Sequence, residues 1–391
     1  MRASPGTSER RRRAGAAPAE SVSVLSFDLS DNATGRADLL ARLLAPRYRV
    51  TVVGPRFGPS LWGPARENGI EHRDLEGARY PRFAGRLAAL ARLADGDILY
   101  ASKPRATSYG VALLARRQRR RPLVLDIDDW ELGFFLRSGA WGTVGRALNL
   151  SNPNGLPWTW AMERLVGQAD ALTVGSRFLE ERFGGTLLPH VRDTDAWDPA
   201  RYDRAAARAA LGAGDHERVV IFLGTPRGHK GVDDLVAAVS TMSGDVMLAI
   251  VGADLTGAAA RRWETTPRVR VFGEIPFDDV PRWLIGADVV AAPQRATADT
   301  VGQVPAKIFD AMALARPVVS TSVSMIPEIL DGCGVVVPPD DVPALAAALE
   351  RLLATPAEAR AMGLRARARC EEQYSFRAAR ARLFPLFERL G

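Results

Sequence analysis

The residues with the clearest chemical potential in this chain lie at the start of one predicted helix, within the segment 304–321. Pro305 suits the first position of a helix, because its missing N–H costs nothing there. A glycine-containing loop precedes the helix, so free backbone N–H groups would face whatever lies in front and form an anion site. Lys307 and Asp310 lie three residues apart and share one side of the helix. The segment predicts a bound phosphate and, one turn in, a carboxylate that binds a hydroxyl group.

A second candidate for phosphate binding is the turn 224–231, with the sequence GTPRGHKG, which directly follows a predicted strand. Glycine allows the backbone to approach a ligand closely, and Arg227 and Lys230 would neutralise the charge of a diphosphate. The turn matches neither a Walker loop nor a G-x-G-x-x-G fingerprint, so it also fits a plain basic turn. Its position in the same half of the chain as the helix start favours the diphosphate.

Acidic residues cluster at 126–131, with the sequence DIDDWE, at the carboxyl end of another predicted strand. Carboxylates held close together repel one another unless they are solvated, hydrogen-bonded or bound to a cation. The cluster therefore has three interpretations: an Asp-x-Asp metal site, recognition or deprotonation of an acceptor molecule, or a solvated turn with Asp129 as a helix cap. No second carboxylate cluster stands out in the sequence as a partner, which argues against a metal, and we predict none.

Two further places have candidate residues whose roles the sequence leaves open. The sequence DNATGR follows the first predicted strand, and Asp31 or Thr34 would cap the helix that comes next. Alternatively, Gly35 and Arg36 would line the floor of a cleft. His190 lies in a turn-rich segment, where it either faces the cleft or bonds to the backbone.

Strands and helices alternate along the chain, and this alternation predicts parallel sheets. Predicted strands run through the first half from 22–27 to 169–174, and through the second half from 219–224 to 334–337. The turn-rich segment 188–199 has no hydrophobic periodicity and would join the halves. The fold class is therefore α/β, with two Rossmann-like, doubly wound domains. Ligands of such folds bind at the carboxyl ends of the strands, here in the cleft between the domains.

The predicted domain boundaries follow from these elements. We expect a disordered basic tail over 1–20, a first domain over 21–195 and a second over 196–376, with a helix over 377–391 packing back onto the first. The tail lacks the apolar stretch of a signal peptide. No apolar run reaches the ~18 residues that a membrane-spanning helix needs.

Composition excludes several classes of function. The formal net charge of +7 would attract nucleotides, nucleic acids or anionic lipids, although arginine far outnumbers lysine and codon bias explains much of this charge. No nucleic-acid motif accompanies it, so we predict no nucleic-acid partner. The arginine-rich run 116–121 fits a solvated helix end or, alternatively, a membrane-surface patch. Cys333 and Cys370 are too few for a disulfide framework or a zinc cluster, which favours the cytoplasm.

Taken together, these segments resemble one family, the nucleotide-sugar-dependent retaining glycosyltransferases of family 4, which have the GT-B fold. The resemblance covers most of the chain after the tail and is best over 219–353. It rests on an ordered set of segments that includes the two phosphate candidates, at 224–231, 251–252, 271–274, 287–293, 309–319 and 326–329. The joining segment 188–199 is also similar to the interdomain segment of that family.

The resemblance implies transfer of a sugar from a nucleoside-diphosphate donor, held by the second domain, to an acceptor held mainly by the first. It implies no cofactor, since the nucleotide sugar is a co-substrate. The residues that it implies for donor binding are Gly35, Gly224, Gly302, Gln303, Val304, Lys307 and Asp310, where Asp310 would bind the donor ribose. Those implied for catalysis are Arg227, Lys230 and Asp128, and those for acceptor binding are Arg36, Asp128 and Asp129.

The chain departs from the family pattern at three positions. Gly302 occupies the place of the first acidic residue of the family's Glu-x7-Glu motif, and Asp299 is the nearby carboxylate that would substitute for it. Thr225 stands where the family has an arginine, so Arg227 would take over that contact. Asp128 stands where many relatives have a cleft histidine.

Two alternative functions share the expected fold. A nucleotide-sugar epimerase would need extra catalytic carboxylates in the donor domain and no acceptor. A non-catalytic sugar-nucleotide-binding protein would retain the fold and lose catalytic contacts, and the glycine at position 302 keeps this alternative open. A peripheral contact with the inner face of the membrane is compatible with the basic surface, and the oligomeric state is left open.

Overall fold

The structure is a computed structural model that describes residues 20–32, 34–66, 68–136 and 145–390. Apart from Glu20, the predicted tail over 1–20 lies outside the described residues. Among the described residues, no helix combines the length and the apolar character that crossing a membrane requires.

The first half contains a parallel sheet whose three central strands are short, fully buried and mostly apolar, as expected of strands covered on both faces. Its strands are β1 Ser21–Leu25, β2 Arg49–Arg56, β3 Glu71–Glu76, β4 Ile98–Ser102, β5 Leu123–Ile127, β6 Ala171–Val174 and β7 Thr186–Leu187. They lie in the order β3-β2-β1-β4-β5-β6-β7. The order reverses direction between β1 and β4, which is where a doubly wound fold opens its binding crevice.

The second half repeats this arrangement with a parallel sheet of six described strands. They are β8 Arg218–Leu223, β9 Val246–Val251, β10 Val269–Phe272, β11 Val289–Ala292, β12 Val318–Thr321 and β13 Val335–Val337. Their order is β10-β9-β8-β11-β12-β13, with the reversal between β8 and β11. The two sheets confirm the α/β class with two Rossmann-like halves.

Helices cover both faces of each sheet and enclose the apolar core. In the first half they are α1 Thr34–Leu44, α2 Arg82–Leu93, α3 Val111–Gln118, α4 Gly133–Leu136, α5 Leu156–Arg164 and α6 Arg177–Phe183. In the second half they are α7 Arg204–Ala210, α8 Val232–Thr241, α9 Ala258–Glu264, α10 Val280–Leu284, α11 Ala306–Ala313, α12 Ile326–Leu330, α13 Val342–Ala354, α14 Pro356–Gln373 and α15 Phe376–Glu388.

The final helix, α15, packs against the first half of the molecule. Its Phe387 ring lies with its centroid 5.3 Å from that of Tyr100 and 5.7 Å from that of Tyr48. The chain therefore crosses between the halves twice. Where the crossings meet, the Arg192 N–H donates to the Tyr374 carbonyl at 2.9 Å, and the Phe376 N–H donates to the Arg192 carbonyl at 3.0 Å. These two bonds join the segments that connect the halves.

Candidate functional site

A cleft of about 830 Å³ lies between the two halves, at the carboxyl ends of both sets of strands. Every residue predicted for the site lines this cleft except one. From the first half these are Gly35, Arg36, Asp128 and Asp129, and from the second half Gly224, Arg227, Lys230, Gln303, Val304, Lys307 and Asp310. Gly302 is the exception. The structure thus brings together residues that lie up to 275 positions apart in the sequence, from Gly35 to Asp310.

The second half contributes a cluster of cations to the cleft. Lys307 is buried, and its Nζ lies 3.7 Å from the centroid of the Phe222 ring. Burial, reinforced by Lys230, holds the pKa of Lys307 well below its usual value. Burial, reinforced by Arg227, lowers the pKa of Lys230 to about 8. Such shifts show that charged lysines are poorly solvated here and that an anion would stabilise them.

These three cations form no direct ion pair among the described residues, although Asp310 favours the charged form of Lys307 from further away. Across the part of the chain that the structure describes, no carboxylate lies within ion-pair distance of Arg227, Lys230 or Lys307. Gly224, with φ of +113°, lies so close that a Cβ there would be 3.4 Å from Lys307 Nζ. The chain has three lysines in all, at 103, 230 and 307, and all three line the cleft. The geometry therefore offers an anion a site with backbone and ammonium groups together.

The helix at this site begins one residue later than the sequence predicts. The helix α11 starts at Ala306, and Pro305 is the residue before it, with φ −62° and ψ 120°. The fixed φ of proline suits both positions, so sequence cannot distinguish them. The consequence for the site is unchanged, because the start of α11, at Ala306 and Lys307, still lines the cleft.

Gly302 lies outside the residues that line the cleft. Its carbonyl accepts a hydrogen bond from Ser176 Oγ at 2.9 Å. A Cβ at this position would lie 3.1 Å from Trp130 Cβ and 3.1 Å from Phe178 Cδ1. A carboxylate side chain here would require both neighbours to move. The first half packs against this loop, and that contact gives a physical reason for glycine in place of the family's acidic residue.

Asp299, the expected substitute for that acidic residue, is buried and is likewise not among the residues that line the cleft. Thr297 Oγ1 donates to Asp299 Oδ1 at 2.7 Å, and Asp299 Oδ2 lies 3.7 Å from Nδ1 of the buried His229. Since His229 does line the cleft, Asp299 is placed behind it and not beside a ligand.

Asp310 lines the cleft one turn into α11 and is paired with a residue that the sequence did not single out. Its Oδ1 accepts a hydrogen bond from Arg192 Nε in a buried ion pair. Burial raises the pKa of Asp310 even though Arg192 opposes the shift. Arg192 belongs to the first crossing between the halves, so this ion pair connects the predicted ribose-binding carboxylate to that crossing.

The acidic cluster is organised around Lys103, which sequence reasoning missed. Lys103 Nζ lies 2.9 Å from Asp128 Oδ1, 2.6 Å from Asp129 Oδ2 and 3.0 Å from Glu131 Oε1. Arg105 forms a second ion pair with Glu131. Asp128 and Glu131 are buried, so the solvated-turn interpretation is wrong. The three carboxylates lie close enough together to hold a metal ion, but an ammonium group already occupies the space between them.

Lys103 also has an unusual backbone, with φ of +68°. This conformation is costly for a residue with a side chain, and such strain is found mainly where the surrounding structure requires it. Burial would raise the pKa of Asp128, but Lys103 and Arg36 outweigh burial and lower it to about 2. Asp128 is therefore an ionised carboxylate at neutral pH.

Arg36 lines the cleft but uses most of its N–H groups on the protein itself. Its Nε and Nη2 donate to Asp126 at 2.8 and 2.7 Å, and Nη2 also donates to the Leu188 carbonyl at 2.8 Å. Gly35 and Arg36 lie in the first turn of α1 and not in an open loop. Arg36 thus fixes β5 to the first crossing segment.

His190 lies in that crossing segment and lines the cleft. Burial, reinforced by Arg36, lowers its pKa to about 3, so the imidazole is neutral at physiological pH. The only sequence signals for His190, Arg192 and Lys103 were their residue types, because each is placed by contacts with distant parts of the chain.

Residues 33–193 match the family model described as "Glycosyl transferase 4-like domain", and residues 217–355 match the one described as "Glycosyl transferases group 1". The two matched regions correspond to the two halves of the molecule and together cover most of the chain.

Two curated relatives match 58% of this chain. One is a GDP-mannose-dependent alpha-(1-6)-phosphatidylinositol monomannoside mannosyltransferase from Mycolicibacterium smegmatis, 33% identical over 246 residues that make up 64% of its length. The other is a GDP-mannose-dependent monoacylated alpha-(1-6)-phosphatidylinositol monomannoside mannosyltransferase from Corynebacterium glutamicum, 28% identical over 65% of its length. The chain therefore spans less than two thirds of either relative.

Solved structures share the fold at low identity. Sucrose-phosphate synthase from Thermosynechococcus elongatus has a TM-score of 0.72 at 20% identity, covering 95% of this chain and 99% of that one. HepE from Anabaena, solved with UDP-glucose, has a TM-score of 0.71 at 19% identity, covering 95% and 100%. Given the two family matches and this shared architecture, the chain belongs to the GT-B glycosyltransferases of family 4.

Proposed function

We propose that the protein transfers a sugar from a nucleoside-diphosphate sugar to an acceptor hydroxyl, with retention of configuration and without a metal ion. The observation that carries this proposal is a pair of lysines beside the start of α11, the buried Lys307 and the partly buried Lys230. Among the described residues, neither has a carboxylate within ion-pair distance. Buried charge without a counter-ion is unfavourable in the free protein, and a diphosphate would remove that cost. The activities for which the curated relatives are named support the same reaction class.

In this reaction the bond between the anomeric carbon and the diphosphate oxygen breaks, and negative charge grows on the leaving group. Arg227, Lys230 and Lys307 would stabilise that charge together with the free N–H groups of α11, since all are already in place before the reaction. The acceptor oxygen then bonds to the same face of the anomeric carbon, and its proton passes to an oxygen of the departing diphosphate. Together, these cations would stabilise the charge of the leaving diphosphate, which is the function that a divalent metal would otherwise have.

Asp128 would orient the acceptor and not deprotonate it. A carboxylate with a pKa of about 2 is a weak base near neutral pH. It is nevertheless a good hydrogen-bond acceptor for a hydroxyl group, and Lys103 holds it in place. The proposal thus assigns acceptor alignment to the first half and leaving-group stabilisation to the second.

The test is release of nucleoside diphosphate from a panel of nucleotide sugars. GDP-mannose comes first, because the two curated relatives are named for it, and UDP-glucose follows. We expect release with at least one donor, unaffected by EDTA. Lys307→Met should reduce it about 100-fold, the scale of losing one preorganised charge-stabilising group. Arg282→Ala, which changes an exposed cation outside the cleft, is the matched control and should have no effect.

Two outcomes would contradict the proposal. One is that no nucleotide sugar in the panel releases nucleoside diphosphate although the protein binds the diphosphate, which is the behaviour of a non-catalytic binding protein. The other is that Lys307→Met retains full release. Retention is tested separately by the anomeric coupling constant of the product in NMR, where an inverted configuration would refute that part.

A further inference from the structure

The cleft extends beyond the groups discussed so far, along α1 to the loop that follows β2. There it is lined by Asp38 and Leu39 of α1 and by Trp62 and Asn68 of the loop. The reaction proposed above uses none of these side chains. They lie on the first half of the molecule, which supplies no cation to the donor cluster.

Asp38 is the chemically unusual member of this group. Its exposed fraction is 7%, and its Oδ1 accepts a hydrogen bond from Asn68 Nδ2. Within the described residues, no lysine or arginine lies within ion-pair distance of it. The nearby Arg42 packs over the Phe376 ring at 5.1 Å from its centroid. Burial accordingly raises the pKa of Asp38 to about 6 despite Arg42. A buried carboxylate with one amide partner retains unused acceptor capacity.

Trp62 is held against α1 at the same place. A Cβ on Gly35 would lie 3.2 Å from Cη2 of the Trp62 ring, so the absence of a side chain at position 35 makes room for the indole. The backbone N–H of Trp62 donates to the Leu29 carbonyl at 2.8 Å, which anchors the loop to the segment between β1 and α1. The indole is half-buried and contributes an apolar surface to the cleft.

We propose that Trp62, Asp38 and Asn68 form a subsite for an uncharged polyol ring, a sugar or a cyclitol, that carries the acceptor hydroxyl. An indole surface suits the apolar C–H face of such a ring, which is favourable to remove from water. The carboxylate and amide accept and donate hydrogen bonds to ring hydroxyls. A phosphate is less favoured here than a neutral ring, because Asp38 would repel it and forms no direct ion pair among the described residues, although Arg42 partly offsets that charge.

This inference rests on the proposed transfer reaction, and the two can fail separately. If both proposals hold, the two ends of the cleft favour ligand groups of different charge. Lys230 and Lys307 of the second half would bind a diphosphate, and Asp38 of the first half would accept hydrogen bonds from hydroxyl groups.

The experiment measures polyol binding to the full chain saturated with GDP or UDP, by saturation-transfer NMR. The probes are myo-inositol and methyl α-D-mannopyranoside, with inositol 1-phosphate as the anionic comparison. We expect the neutral probes to bind the unmodified protein, and about tenfold more weakly in Trp62→Ala and Asp38→Asn, the scale of losing one charge-assisted hydrogen bond or ring contact. Trp160→Ala, at an exposed tryptophan outside the cleft, is the matched control and should bind as the unmodified protein does.

Three results would overturn the inference: no binding of either neutral probe, equal binding by both variants and the unmodified protein, or tighter binding of the phosphorylated probe. If Trp62→Ala fails to fold, as judged by its melting temperature, the near-isosteric Asp38→Asn decides. Affinity for the nucleoside diphosphate is measured in parallel. If the unmodified protein does not bind nucleoside diphosphate, the proposed function is refuted. If it binds nucleoside diphosphate but polyol binding is the same in the variants, only the subsite is refuted.

Discussion

At the scale of single residues, lysine and arginine have different roles in this protein. Of its 52 basic residues, the three lysines all line the cleft. Lysine has a compact ammonium group whose pKa shifts readily on burial, whereas arginine stays charged almost everywhere. Lys103 is compensated by three carboxylates. Among the described residues, Lys230 and Lys307 have no carboxylate within ion-pair distance, and burial lowers the pKa of both.

The lowered pKa of Lys230 predicts a pH effect on donor binding. In the free protein the pKa of Lys230 is about 8, and a bound diphosphate would raise it by favouring the charged form. Below pH 8 the lysine is already protonated. Above pH 8 binding must take up a proton, so the dissociation constant for nucleoside diphosphate should rise as pH increases. Calorimetry between pH 7 and pH 9.5 measures it.

A matched variant separates Lys230 from other titrating groups. Lys230→Arg retains a cation that does not lose its proton in this range, so its affinity should fall less steeply with pH. If the unmodified protein and the variant showed the same slope, Lys230 would not be the titrating contact.

On the scale of secondary-structure elements, one turn sets the geometry of the phosphate candidates. Gly231 precedes α8 with φ of +63°, and a Cβ there would lie 1.9 Å from the Pro293 carbonyl oxygen. No side chain fits in that space, and the left-handed conformation adds strain for any residue but glycine. The turn from β8 to α8, which contains Lys230, therefore depends on close contact with the strand β11 nearby.

We predict that Gly231→Ala lowers the free energy of unfolding by about 2–3 kcal/mol, the range of severe backbone strain. Urea denaturation measures the change. Gly228→Ala is the control, because nothing lies within 4 Å of a Cβ there and its φ is not positive. Its stability should change by no more than about 0.5 kcal/mol. Equal stability of both variants would show that the turn adapts.

For the whole molecule, the two crossings between the halves meet at Arg192. Its backbone joins the second crossing through Tyr374 and Phe376, and its side chain holds Asp310. The guanidinium lies 5.5 Å from the Trp197 ring centroid and 5.8 Å from that of Phe277. Arg192 thus contacts both crossing segments, Asp310 of helix α11 and the two neighbouring aromatic rings.

A double-mutant cycle tests the interaction between Arg192 and Asp310. Arg192→Met leaves Asp310 buried without its cation and should cost about 3–5 kcal/mol of unfolding free energy. Adding Asp310→Leu removes that unpaired charge, so the double variant should recover much of the stability. It should not recover affinity for nucleoside diphosphate, because the proposed ribose contact is gone. Additive losses of stability would contradict a direct interaction between the two residues.

The sequence by itself determined the parts of this protein that are local along the chain. Alternating strands and helices predicted two parallel sheets, which the structure confirms. The turn 224–231 could be recognised because it follows a strand directly. Helix α11 could be recognised because a glycine-containing loop and a proline precede it. The family resemblance was carried by the same segments.

Only the tertiary structure decided how charges are paired across the cleft. The Arg36–Asp126 bond joins residues 90 positions apart, Arg192–Asp310 joins residues 118 apart, and Ser176–Gly302 joins residues 126 apart. The sequence of a single chain contains no periodic pattern that relates positions so far apart. For this reason the acidic segment 126–131 remained ambiguous until Lys103 was seen among its carboxylates. Charge compensation in a buried site is a property of the packed molecule, because burial itself creates the need for partners.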